Sequence, residues 1–153
     1  MLVLSNDDLD GMYAHALRGY PLEACGLLIG QWQGDEVHRF VPTPNAAASS
    51  RIYEVDGRTF MAVERAADDD GLAIIGVAHS HTHTDAYPSP TDVKAAPDPD
   101  WHYPIVSLRG DEPVLRSFRI VAGDVSEDQE RVTDRPPARP RDTRDSGTNR
   151  HDV

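Results

Sequence analysis

The 153-residue sequence has a single cysteine, Cys25. No intramolecular disulfide is possible, and the chain suits a reducing, cytoplasmic compartment. It has no run of about 18 apolar residues, which excludes a membrane-spanning helix. Met1-Leu2-Val3-Leu4-Ser5-Asn6 has no positive start and no long apolar stretch, so no signal peptide is expected. Positive charge is scarce: 15 Lys and Arg stand against 26 Asp and Glu, a net charge of −11. That argues against nucleic acid or an anionic membrane as the partner. From Ser126 to Val153 there are 7 acids and 6 bases, a contribution of −1, so the remainder carries −10. The acidity favours a basic partner surface or a cation, and also serves solubility.

What is present fits one domain large enough to fold without staples. Ser5–Gly19 reads as a helix. Ser5 is its N-cap, Asp7 and Asp8 fill the first turn, and Leu9, Met12, Tyr13, Ala16 and Leu17 form one apolar face. Ala24–Gly30 suits a buried strand and Glu36–Val41 a second, paired through the turn at Gln33-Gly34-Asp35. Pro42–Ser50 reads as a loop, Ile52–Val55 as a short strand and Asp56–Asp70 as a helix with Phe60, Val63 and Ala67 inward. Leu72–His81 is the expected central strand, followed by a short helix at Thr91–Ala96. Tyr103–Arg109 and Val114–Val121 close the pattern as strands. The fold class is α/β in the α+β sense, a mixed sheet with helices on its faces. From Ser126 onward apolar residues nearly vanish, so the expectation is a folded domain over 1–125 and a disordered tail over 126–153.

The chemistry concentrates at the end of the central strand. His79 and His81 are two apart, so on a strand they share a face and can grip one metal ion from one side. Their bland alternative is a pair of histidines in a polar loop. His83 would join that face only if the strand continued, and Thr84-Asp85 and Tyr87-Pro88 point to a loop instead. Ser89-Pro90-Thr91-Asp92 has what a helix start needs: Ser at the N-cap, Pro at the first position, an acid at the third. Capping therefore competes with metal ligation for Asp92, although the two roles are compatible. Glu23 precedes an apolar strand and is either a solvated edge residue or the acid/base of a metal-assisted hydrolase. Cys25, within an apolar run, reads as a buried small hydrophobe.

The string His79-Ser80-His81, seven residues, Ser89, two residues, Asp92 resembles the metal-binding motif of the JAMM (MPN+, Mov34/PAD-1-like) metallopeptidases. The segment Pro21-Leu22-Glu23-Ala24-Cys25-Gly26-Leu27-Leu28-Ile29-Gly30 is similar to that family's glutamate segment. The resemblance covers roughly Leu2 to Val121. It implies one zinc ion per chain, held by His79, His81 and Asp92. It implies Glu23 as acid/base and Ser89 as hydrogen-bond donor to the oxyanion. It also implies a curled mixed sheet between helices, similar to cytidine deaminases. Many members have Pro after the second histidine; this chain has Thr82 and then His83, which changes the loop beside the cleft. His-Ser-His-Thr with Tyr87-Pro88-Ser89-Pro90-Thr91-Asp92 resembles a bacterial subgroup that releases cysteine from the C-terminus of a ubiquitin-like sulfur-carrier protein in cysteine biosynthesis. Pro42-Thr43-Pro44-Asn45 and Phe118-Arg119-Ile120-Val121 share that likeness, and Asn45 is expected on one wall of the substrate groove. The expected partner is such a carrier ending in Gly-Gly. The rivals are an isopeptidase or processing peptidase for another ubiquitin-like protein, and a non-catalytic scaffold.

Overall fold

A computed structural model describes residues 1–134. The chain opens with strand β1 (Leu2–Ser5), helix α1 (Asn6–Gly19) and strands β2 (Cys25–Gly30) and β3 (Arg39–Thr43). Helix α2 (Gly57–Asp69), strand β4 (Ala73–His81) and helix α3 (Pro90–Ala95) follow. Strands β5 (Ile105–Ser107), β6 (Val114–Val121), β7 (Asp124–Asp128) and β8 (Glu130–Thr133) complete it. Six strands form one mixed sheet in the order β3-β2-β4-β5-β6-β7, and β1 pairs with β8 separately. Among the described residues, only β4 and β5 are parallel within the large sheet. Among the described residues, no helix is long and apolar enough to cross a membrane.

The sheet separates two apolar clusters. On one face Leu28, Ile75, Ala78 and Val106 pack with Leu2, Leu4 of β1 and Met12, Ala16 of α1. On the other, Leu27, Ile29, Val77, Ile105 and Phe118 pack with Ala67 of α2, and Phe60 and Val63 join from its inner face. Burial on both faces explains why β2 and β4 read as continuous apolar runs rather than alternating ones. Gly76 lets β4 sit close to its neighbour: a Cβ there would lie 2.4 Å from the His102 carbonyl oxygen.

Several expectations are corrected. The first strand, β1, was not anticipated, because four residues carry too little periodicity; Leu2 and Leu4 are nevertheless fully buried. Leu17 stands out in solvent, at 56% exposure, at the edge of the α1 face. The second strand of the hairpin runs over Arg39–Thr43 rather than Glu36–Val41, with Thr43 opposite Cys25. Pro42 is tolerated there because β3 is an edge strand. Ile52–Val55 forms no strand. The strand expected over Tyr103–Arg109 is confined to Ile105–Ser107. The boundary at residue 125 falls inside β7, and β8 continues order to Thr133. Composition missed this because these strands are held by backbone pairing and polar anchors. Glu127 accepts two hydrogen bonds from Arg116, and the N-terminal amine lies 2.9 Å from Asp128. The remainder of the expected tail lies outside the described residues.

Candidate metal centre

The end of β4 delivers two imidazoles to one point. β4 is clamped between β2, with Cys25 opposite His79, and β5, with Ser107 opposite His81. Both histidines are 4% exposed, on the same face by the alternation of a strand. Helix α3 delivers the carboxylate. Ser89 caps it: Ser89 Oγ accepts the Asp92 amide at 3.1 Å, and the Ser89 amide donates to Asp92 Oδ2 at 2.9 Å. The capping reading of Ser89 and Asp92 is therefore correct, and it does not displace the metal reading. The Asp92 oxygen fixed by the cap is the one that faces both histidines.

The geometry at that oxygen is not explained by hydrogen bonding. His79 Nε2 and His81 Nε2 are 3.1 Å apart, and they lie 3.1 and 3.0 Å from Asp92 Oδ2. With both nitrogens protonated, the two N–H groups repel. With one bare, its lone pair faces the carboxylate. With Asp92 ionised, no placement of protons makes all three contacts attractive. A cation at the centre does. A tetrahedral zinc ion with bonds of about 2.0–2.1 Å spreads its ligand atoms about 3.3 Å apart, an opening of only a few tenths of an ångström. The donor set, two imidazoles and one carboxylate, leaves room for a fourth position. His79, His81 and Asp92 fit a metal ion.

The supporting contacts differ between the two rings. His81 Nδ1 donates to the Asp85 carbonyl at 2.8 Å, which leaves Nε2 as the bare ligand atom in the neutral ring. Among the described residues, His79 Nδ1 is buried without a hydrogen-bond partner. Its ring is instead held by Tyr53, stacked at 4.2 Å and 23°. Burial lowers His79 and outweighs the pull of Asp92. Burial also acts to lower His81, but Asp92 and the Asp85 carbonyl leave it above its ordinary value. Burial would raise Asp92, yet its hydrogen bonds with both imidazoles hold it well below the usual carboxylate range. Protons would therefore compete with a metal ion at His81, and binding would weaken on acidification.

Glu23 comes from the segment before β2. It is 4% exposed, and its Oε1 has no hydrogen-bond partner among the described residues. Glu23, His79, His81 and Asp92 each offer an atom within 4.8 Å of the others. A buried, unpartnered carboxylate oxygen beside a metal triangle is costly unless something binds between them. Burial pushes Glu23 up to about 7, with His81 opposing the shift and Asp92 adding to it.

All five residues singled out from the motif thus lie in one constellation. Others stay out of it. His83 is exposed on the loop and lies 2.8 Å from Thr82 Oγ1, so β4 ends before it could join the face. Cys25 is 1% exposed, with its sulfur 3.4 Å from Thr43 Oγ1, and burial raises its pKa; it is a core residue. Sequence reasoning placed Tyr53 in a strand and gave no hint of its contact with His79, since stacking across 26 positions leaves no local pattern. Ser80 was also missed. Its Oγ accepts the Ala24 amide at 2.8 Å and ties the glutamate segment to the histidine strand.

The model of the family described as prokaryotic homologs of the JAB domain matches residues 5–121. The chain is 43% identical over 135 residues to the CysO-cysteine peptidase of Mycobacterium tuberculosis, covering 88% of this chain and 92% of that protein. It is 34% identical over 116 residues to a probable TtuB-protein conjugate cleaving protease of Thermus thermophilus, covering 75% and 73%. The solution structure of protein DSY2949 from Desulfitobacterium hafniense is similar with a TM-score of 0.80 at 34% identity, covering 88% of this chain and 94% of that one.

Proposed function

The chain belongs to the family of prokaryotic JAB-domain homologues, within the JAMM/MPN+ metallopeptidases, and we propose that it hydrolyses the bond between the C-terminal glycine of a ubiquitin-like sulfur-carrier protein and cysteine. The observation that carries the reading is the triangle of His79, His81 and Asp92 with the unpartnered Glu23 oxygen beside it. His79, His81 and Asp92 would hold a zinc ion, as two imidazoles and a carboxylate do in zinc hydrolases, and the ion would supply Lewis acidity to activate water and polarise the scissile carbonyl. Glu23 receives the proton that the attacking water gives up and passes it to the amine of cysteine as the C–N bond breaks. Burial raises this carboxyl, which favours its holding the proton between the two transfers. Ser89 uses its Oγ lone pair for the helix cap, which leaves its hydroxyl proton to donate to the carbonyl oxygen as charge builds there.

A protein substrate is supported by what surrounds the site. Leu22 is 40% exposed beside Glu23, Ile52 is 40% exposed beside Tyr53, and Tyr87 is 54% exposed two residues before Ser89. These apolar side chains suit a folded partner, and an extended Gly-Gly tail, with no side chains, suits close approach to the buried triangle. A cytoplasmic setting accords with the single cysteine of the sequence, which is buried and free.

The T. thermophilus relative, by its name, cleaves a protein conjugate, which keeps an isopeptidase reading in view. The two separate on paired substrates. The purified protein is incubated with a carrier ending in Gly-Gly-Cys and with the same carrier linked through glycine to a lysine side chain. Faster release of cysteine is expected. Cleavage of the lysine conjugate alone would replace the cysteine assignment with the isopeptidase.

A further inference from the structure

We propose that Asn45 is a positioning residue for Glu23, holding the backbone of the acid/base at a fixed depth against the metal triangle; this rests on the role given to Glu23 above. Asn45 sits just after β3, in the segment that leads to Tyr53, which stacks on His79. Its side chain uses all of its hydrogen-bonding capacity. Nδ2 donates to the Glu23 carbonyl at 3.0 Å and to the Ile52 carbonyl at 3.0 Å. Oδ1 accepts the amides of Ala47 at 3.1 Å and Glu54 at 2.9 Å. Two donors meet carbonyls and one oxygen meets amides, so the orientation of the carboxamide is fixed by its partners.

Only this side chain fits. Aspartate has the oxygens but no donor, and glutamine is one methylene too long. The consequence is a closed frame. The Glu23 carbonyl hangs from Asn45, and the Glu23 amide donates to the Ser49 carbonyl at 2.8 Å in the same loop. The next amide, of Ala24, donates to Ser80 Oγ between the two histidines. Further along the loop, the Ser50 carbonyl accepts Thr82 Oγ1 at 3.4 Å, and Tyr53 stacks on His79. One carboxamide thus couples the segment that carries the acid/base to the loop that covers the ligands. Glu23 precedes β2, so strand pairing alone does not fix its height.

Asn45→Asp tests this role. It keeps the acceptor for Ala47 and Glu54 and loses the donors to the Glu23 and Ile52 carbonyls, so the localisation of the effect to Glu23 and Ala24 is what distinguishes positioning from loop folding. In the metal-loaded protein kcat is expected to fall about 100-fold, the order of loss that an ångström-scale displacement of a reacting group produces. KM should change by less than about threefold, and metal content should not change. Amide hydrogen exchange gives a readout apart from activity: Glu23 and Ala24 should exchange at least about tenfold faster, with Cys25–Gly30 unchanged. In a Glu23→Gln background, Asn45→Asp should add almost nothing to the loss of kcat. Wild-type exchange at Glu23 together with wild-type kcat would overturn the proposal. So would faster exchange spread evenly over the sheet with a lowered Tm, which is the mark of a structural residue. If the wild type cleaves none of the carriers, the function assigned above fails, and the exchange pattern still decides the role of Asn45.

Discussion

Glu23→Gln should keep one metal ion per chain and lose about 100- to 10,000-fold in kcat, the range that general acid–base groups supply. A metal ion should survive the change because the triangle of His79, His81 and Asp92 closes without Glu23. A second result is expected in the protein stripped by chelator. Folding raises Glu23 from 4.5 to about 7, so the folded state binds this proton more tightly than the unfolded state does. Stability then falls as pH rises from about 4.5 to 7, and the full cost is present above 7. Gln removes that cost. The stripped variant should exceed the stripped wild type at pH 8 by on the order of 1–2 kcal/mol, after allowing for screening by water in the cleft. At pH 4 the advantage should vanish. Thermal unfolding at both pH values with chelator present, beside elemental analysis of the loaded proteins, checks both halves. Near-normal turnover would remove Glu23 from the chemistry.

Asp92 carries two loads, so its variants should split them. Asp92→Ala removes the carboxylate of the proposed metal site and the acceptor for the Ser89 amide, and it leaves two buried imidazoles facing each other. Metal content and turnover should both drop to background. Stability without metal should also fall, by about 1 kcal/mol or more for the lost cap. Asp92→Asn keeps an oxygen for the Ser89 amide but gives up the charge. It should lose metal and turnover while retaining most of the Tm. Calorimetry of both stripped variants, with metal analysis, makes the comparison. Metal retained in Asp92→Ala would show that the ion is held elsewhere.

The site was legible where the chain writes it in short spacings. His79 and His81 two apart on an apolar run, and Ser89-Pro90-Thr91-Asp92 as a helix start, are local patterns, and both appear in the structure as read. Glu23, 56 positions from His79, was legible only through a resemblance, because nothing local distinguishes a buried acid from an edge one. Tyr53 and Asn45 act through contacts across the fold, a ring against a ring and a carboxamide against a carbonyl. No periodicity encodes these. The strands β7 and β8 were unreadable for a related reason. Composition reports side-chain burial, whereas Asp124–Asp128 and Glu130–Thr133 are ordered by pairing with β6 and β1. The helices and central strands were legible because the burial that selects their apolar residues also sets their period.

The most direct measurement combines zinc content by elemental analysis with the intact mass of a carrier protein ending in Gly-Gly-Cys, incubated with loaded and with chelator-treated protein. The account predicts one zinc per chain, and a carrier shortened by one cysteine only with the loaded protein. Equal cleavage by the chelator-treated protein would contradict it, as would a chain that binds no metal.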